Sequence, residues 1–497
     1  VVLMIEKQSV NRKMITISLL IGAFFAILNE TLLNIALVEL MDVFNISAPT
    51  VQWMATGFML VMGVVMPLSA LIIQWFTTRQ LFIGVLSIFT VGTLIAGLSV
   101  NFPMLLTGRM IQAVGTGLLI PVVMNTMLLI YEPSVRGRVM GFFGMVIMFA
   151  PALGPTLSGV IVDLFGWRYL FLLVVPFTLF AIYFGYRFLE NVGEVTKPKI
   201  DWLSVGLSSF GIFLIIFSFS SIGNQQEGAS FNPLFIAYII TGLVMLTLFV
   251  IRQFKLDVPI LDFSVFKYKN YKYGTIIFII VVMAMMASEI VMPMYLQGPM
   301  EFSAKIAGII LLPGALLNGL MSPVMGGIFD KLGPRKMIIP GTIVLLLVMF
   351  FYSTIHPGIS MWVFILVYMV LMLAISATLM PANTNGMNEL PESMYPHGTA
   401  IINTMQPIAG ALGVSIFVTI MTKGKERALE GITSPTTEQV HMAMTEGIHY
   451  SYYFGMALVF IALLCSLRLT RATVGQSGIG KTSTDTTSIN GTNDASS

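Results

Sequence analysis

GFFGMVIMFAPALGPTLSG, residues 141–159, holds no charged residue and is seeded with Gly141, Gly144, Ala150, Pro151, Gly154, Pro155, Ser158 and Gly159. A helix needs about 20 apolar residues to cross the hydrocarbon of a bilayer. Small residues at these spacings let two helices touch backbone to backbone, and a proline inside a span removes a backbone hydrogen bond and bends it. The stretch therefore reads as a bent membrane helix with a close neighbour, at an interface where two bodies would rock. Any one of these glycines is ordinary packing; the array is more.

The remainder of the chain has the same character. Of 497 residues, 56% are hydrophobic and 10% charged, and the mean hydropathy is +0.89, whereas a soluble domain is about 25% charged. Fourteen strongly apolar stretches, from 14–36 to 450–470, can be counted. The expected fold is all-α, an integral membrane protein with 14 transmembrane helices. Lys7, Arg12 and Lys13 precede a first apolar run too long for a secretory signal, so that helix is expected to be retained. Cys465 is the single cysteine, so no internal disulfide forms, and His356, His397, His441 and His449 have no metal-ligand spacing. No cofactor and no enzyme activity are expected. With both termini inside, 20 of the 26 Lys and Arg residues fall in cytoplasmic segments and 5 outside, the asymmetry that sets membrane orientation. The net charge of +3 is that asymmetry and points to no nucleic-acid partner.

Deep inside the apolar stretches, away from their ends, stand three charges: Glu30, Arg109 and Glu289. A charge at mid-bilayer costs about 2.5 to more than 10 kcal/mol, so such residues face a protein interior or a water-filled path. Arg109, with Gln112, Gly115, Gly117 and Pro121 after it, either caps carbonyls near a helix end or lines a cavity and sets the proton affinity of a nearby carboxylate. Glu30, with Asn34 one turn on, is either an interfacial acid or a proton carrier. Glu289 is either a proton carrier or a hydrogen-bonded link between helices. Around it Met285, Met286 and Met292 offer flexible, polarizable surface for varied ligands or simply apolar filler. Asn403 and Gln406, with Asn383 and Asn385 nearby, either orient a substrate or bond helix to helix.

Two short loops share a pattern. Gly326, Gly327, Asp330, Lys331, Gly333 and Arg335 follow one apolar stretch, and Ala70, Gln74, Thr77 and Arg79 hold the equivalent places after another. If these loops correspond, the chain divides into a cytoplasmic N-terminus (1–13), a six-helix half (14–190), an inserted transmembrane pair (191–256), a second six-helix half (257–470) and a polar tail (471–497). Segment 422–449 reads as a polar outer loop, a short hairpin or mobile. In the tail Gly475, Gly480, Lys481 and Thr482 match a phosphate-loop spacing but lack the strand and helix that would aim backbone N–H groups at a phosphate.

Residues 141–159 resemble the antiporter motif of major facilitator superfamily drug exporters, the Arg109 segment its fourth-helix motif, and the two loops its repeated cytoplasmic motif. Residues 28–37, LNETLLNIAL, together with the fourteen stretches, are similar to the fourteen-helix drug:proton antiporter branch, which includes lincomycin and multidrug exporters. Two positions depart from it. Asn29 stands where many relatives carry an acid, with Glu30 beside it, and Gln74 stands where the first loop has an acid, leaving Asp330 alone in that role. The resemblance implies a monomer in the cell membrane, both termini cytoplasmic, exporting amphipathic or cationic drugs by alternating access and driven by the proton gradient. Glu289, Glu30 and Arg109 would couple the proton, and Gly326, Asp330, Gly333, Arg335 and Arg79 would form the cytoplasmic gating loops. An exporter of an endogenous metabolite or lipid is the alternative within transport, and a membrane sensor the alternative outside it.

Overall fold

The computed structural model describes residues 12–46, 48–51, 53–192, 195–222, 233–432 and 434–472. The tail with its phosphate-loop spacing lies outside the described residues. Among them the regular elements are α-helices and two 3-10 turns, without strands. That follows from lipid as solvent, in which a helix satisfies every backbone polar group internally.

The first group comprises α1 (Arg12–Phe44), α2 (Ala48–Val51), α3 (Trp53–Val65), α4 (Ser69–Trp75), α5 (Thr78–Gly97), α6 (Phe102–Ile130), α7 (Pro133–Phe165), α8 (Tyr169–Leu172) and α9 (Val174–Phe188). A pair follows, α10 (Trp202–Ile222) and α11 (Pro233–Gln253). The last group is α12 (Lys269–Gln297), α13 (Ala304–Leu332), α14 (Pro334–Tyr352), α15 (Met361–Glu389), α16 (Tyr395–Ala428) and α17 (Thr437–Leu467). Local signals set several boundaries. Thr77 and Gln80 form a capping box for α5, Asn101 caps α6 through the Met104 N–H, and Thr436 with Gln439 repeats the box at α17. Gly166 and Gly333, at φ +85° and +80°, end α7 and α13 in a conformation only glycine adopts easily.

Eleven helices of the described residues are long and apolar enough to cross a membrane, and α3 with α4, bent by 56°, makes a twelfth. Fourteen were expected; α10 offers a shorter apolar stretch, Trp202–Ser218, and α7 opens with Arg136 and Arg138. The segment 422–449, expected as a loop, is helical for most of its length. Helices α16 and α17 run on to Ala428 and from Thr437, and touch where a Cβ on Gly424 would stand 2.7 Å from the Gly447 Cα.

Contacts repeat with an offset along the chain. Helix α1 lies against α6, α7 and α9, α5 against α6 and α9, and α3 against α6; likewise α12 lies against α15, α16 and α17, α14 against α15 and α17, and α13 against α15. The groups meet through α7 on α13 and α15, and through α3, α4 and α6 on α16; α10 bridges α3 and α16. Tyr131 hydrogen-bonds the Arg12 carbonyl, and Arg471 that of Asp330, so both ends of the described chain lie at one face, here the terminal face.

Candidate functional site

In the first group the centre is Arg109, 1% exposed, held by neutral partners. Its Nη1 donates to Asn29 Oδ1 at 3.3 Å and Gln112 Oε1 at 3.1 Å. Gln112 Nε2 donates to Asn29 Oδ1 at 2.9 Å and Thr93 Oγ1 at 2.7 Å, and Asn29 Nδ2 to the Leu170 carbonyl at 3.1 Å. The Phe58 ring lies 4.3 Å from the guanidinium carbon, a cation–π contact. Within this network Arg109 Nε is buried without a partner among the described residues. The network joins α1, α5, α6 and α8, so the guanidinium is fixed by amides and an aromatic face. Asn29, the neighbour of the expected acid, makes the contact to Arg109; Glu30 is half-buried and near enough to act on Arg109 electrostatically.

The second group presents a different setting. Glu289 on α12 is exposed at its own surface although protein surrounds it densely, as for a side chain on the wall of a depression. The hydroxyl of Tyr452 donates to Ser288 Oγ at 3.3 Å, and Tyr368 lies within electrostatic reach of Glu289. Among the described residues no basic side chain acts on Glu289. Met285 and Met292 are 1% and 0% exposed; both are packed between helices rather than lining open space, because the α12 face that carries them turns into the second group. Met286 is half-buried, its Cγ 3.2 Å from where a Cβ on Gly410 would stand.

Asn403 is buried, donating to the Thr399 carbonyl at 2.8 Å and reaching Met124 Sδ of the first group at 3.7 Å. It bonds helix to helix. Gln406 is half-buried, and the Asn34 side chain lies outside the described residues. Of the quoted stretch, Ala150 and Ser158 are 0% exposed, and Ser158 Oγ has no partner. A Cβ on Gly154 would stand 2.8 Å from Thr31 Cβ, which brings α7 onto α1. The side chains of Pro151 and Pro155 and the surroundings of Gly159 lie outside the description.

Helices α7 and α13 cross at the terminal face. A Cβ on Gly141 would lie 2.5 Å from the Ser322 carbonyl oxygen, and one on Gly326 would overlap the Gly137 carbonyl. At this close approach the Asp330 carboxylate accepts the N–H groups of Gly137 and Arg138, both at 2.8 Å. Arg136, read from sequence only as a loop cation, is 4% exposed. It spans the groups, donating to Leu128 O at 2.5 Å, Tyr131 O at 2.8 Å, Asn388 Oδ1 at 3.1 Å and the Tyr395 hydroxyl at 2.8 Å. Its only sequence signal is the glycine after it, Gly137, which admits α13. Two expected gate residues turn elsewhere. Arg79 bonds the Tyr186 carbonyl and stacks on that ring at 4.4 Å, wholly within the first group. Arg335 donates to the Leu469 carbonyl at 2.7 Å and fastens the segment after α17.

These features define a polytopic helical membrane protein of two similar helix groups, with a mid-helix carboxylate in each, Glu30 and Glu289, and a glycine-lined contact between them. Among the described residues no cluster of His, Cys, Asp and Glu is fit to hold a metal ion. The Major Facilitator Superfamily profile matches residues 19–414, and the chain belongs to that superfamily of membrane transporters. It is similar to the Lincomycin resistance protein LmrB of Listeria innocua, with 44% identity over 92% of this chain and 96% of the relative. The Lincomycin resistance protein LmrB of Bacillus subtilis is 43% identical over 93% of this chain and 96% of its own length. Among solved structures, the human organic anion transporter MFSD10 superposes with a TM-score of 0.63 at 12% identity, over 92% of this chain and 99% of that one. The proton:xylose symporter XylE superposes with 0.60 at 15% identity, over 91% and 94%.

Proposed function

We propose that this protein exports amphipathic or cationic drugs, lincosamides among them, across the cytoplasmic membrane in exchange for protons. The observation that carries the reading is Glu289, an acid in the middle of α12 that is open at its surface and, among the described residues, acted on by no basic side chain. A proton and a cationic drug competing for that carboxylate would couple their opposite movements without a cofactor. The identity to relatives named for lincomycin resistance supports the drug class.

In this reading α7 and α10 also cross the bilayer, so that the chain has fourteen spans: two six-helix halves at 14–190 and 257–470 around the α10–α11 pair. The repeated contact pattern supports this division. The terminal face is cytoplasmic, as the excess of Lys and Arg there supports. Alternating access then separates α7 from α13 at that face, where Asp330, Gly326 and Arg136 hold the closed form. Met286 and Gln406 remain candidates for the cavity wall, and a monomer suffices.

Lincomycin uptake into everted vesicles under an imposed pH gradient tests the reading. Uptake should collapse with an uncoupler and fall at least about tenfold in Glu289→Gln; normal gradient-driven uptake in that variant overturns the role of Glu289. A second reading, export of an endogenous metabolite, is favoured by similarity to the Riboflavin transporter RibZ of Clostridioides difficile, 23% identical over 92% of this chain. Metabolites accumulating in a deletion strain would separate the two.

A further inference from the structure

At the terminal face a second contact between the groups mirrors the first with different chemistry. Where Asp330 of α13 meets Gly137 of α7, Gln74 of α4 meets His397 of α16, one residue before Gly398. The Gln74 amide is oriented by its own bonds: Nε2 donates to the Ala70 carbonyl at 3.0 Å, and Oε1 accepts the Thr196 hydroxyl at 3.3 Å. Its NH2 therefore faces His397 Nε2, 3.4 Å away. On the other side of the ring, Nδ1 lies 3.2 Å from the Ile260 carbonyl and 3.3 Å from the Asp262 N–H.

Neutral imidazole has one donor and one acceptor nitrogen, and the cation has two donors. The neutral tautomer with Nδ1–H donates to Ile260 O while Nε2 accepts from Gln74, and leaves the Asp262 N–H without the ring as acceptor; the other neutral tautomer would serve the Asp262 N–H and lose Gln74. In the cation Nε2–H points at an NH2 group, donor against donor, so the bond to α4 is lost. We propose that His397 is a proton-binding site that fastens α16 to α4 while neutral and releases it when protonated. The inference rests on the proposed orientation only for the side from which the proton arrives, the cytoplasm.

Burial of the ring opposes its charged form, and a neighbouring acid works against that effect. From the segment before α12, Asp262 acts on the imidazole electrostatically, its carboxylate accepting the Ser264 N–H. That acid would draw the imidazolium away from α4. From the linker after α9, Lys197 bonds the Gln74 carbonyl through its backbone N–H, and its side chain is exposed. From α12, Tyr271 donates to the Gly398 carbonyl at 2.9 Å, and Glu392, just before α16, is exposed. In the α7–α13 contact the titratable group is the Asp330 carboxylate, and backbone N–H groups rather than a second titratable side chain complete it.

Spin labels in the purified full-length protein, with Cys465→Ser, test the inference. One pair at the exposed positions Phe76 and Glu392 spans α4 and α16, and a control pair at Ser134 and Lys331 spans α7 and α13. Between pH 8 and pH 5.5 the long-distance population of the first pair should rise several-fold, and that rise should vanish in His397→Gln, whose neutral side chain keeps the closed distance. Gln74→Glu, which gives the imidazolium a carboxylate, should move the opening to lower pH. A first pair insensitive to pH, or an unchanged response in His397→Gln, overturns the proposal. These distances do not depend on drug export, so a failure here leaves the exporter reading untouched, and loss of export in vesicles leaves the switch untouched.

Discussion

The two helix groups repeat each other's contacts, yet they treat their acids in opposite ways. In the first, Glu30 lies beside a guanidinium clamped by Asn29, Gln112 and Phe58, so its charge answers to a fixed cation. In the second, Glu289 has Tyr368 within electrostatic reach and, among the described residues, no basic side chain acting on it. A shared fold thus supplies two sites of different electrostatic character, and on that difference rests the proposal that Glu289 couples the proton and Glu30 supports it. Dense small-residue contact at α7–α13 keeps the groups in register while the sites differ.

The comparison is broken most severely through that contact. Gly326→Ala places a methyl group into the Gly137 carbonyl and should lower the melting midpoint in detergent by the equivalent of about 1–3 kcal/mol, abolishing transport. Gly327→Ala meets nothing within 4 Å and should melt unchanged; equal melting of the two variants would contradict the close approach. Next, Glu30→Gln should reduce gradient-driven export only a few-fold, against at least about tenfold for Glu289→Gln; a reversed ranking would undo the assignment of roles. Asn29→Ala removes an acceptor from the buried guanidinium and a donor from the Leu170 carbonyl, at a cost of about 1–3 kcal/mol. Export in that variant should also shift its pH dependence, because Arg109 is freed to move relative to Glu30.

The smallest effect lies outside both groups. The Arg252 guanidinium bonds Asp201 at 2.6 and 2.9 Å and holds its carboxyl down to about 2. A depressed folded value means that the stabilisation is complete above the ordinary carboxylate value of about 4 and fades as pH falls from there towards 2. Both side chains are partly exposed, so solvent screens the pair and the stabilisation is small. The melting midpoint of Asp201→Asn should be lower than that of the unaltered protein at pH 7 and converge with it near pH 2.

Legibility divides along the same line. The apolar stretches, the capping residues Thr77, Asn101 and Thr436, and the terminating glycines Gly166 and Gly333 are local signals and mark most helices directly. Residues 141–159 announced a close helix contact, and the structure supplies the partners: α13 for Gly141 and α1 for Gly154. Arg136 was missed because a cation just after a span reads as a solvated loop residue, and only the fold brings Asn388 and Tyr395 to it from more than 250 positions away. Arg79 was placed in the gate because its position matches Arg335 in sequence; Tyr186 captures it instead. Met285 and Met292 looked like Met286, since a lone helix does not disclose which side a second group will cover.

What the sequence determined by itself is the kind of protein: charge is so scarce that the chain must partition into lipid, lipid demands helices, and Glu30, Arg109 and Glu289 demand an interior reason. What the tertiary structure alone decided is the partner of each polar group. Asn29 rather than Glu30 grips Arg109, no basic side chain among the described residues acts on Glu289, and His397 stands opposite an amide where its counterpart contact holds an acid. Hydropathy is a property of each residue and survives in the sequence. Hydrogen bonding and Coulomb interactions depend on distances between residues far apart in the chain, which exist only once the helices have packed.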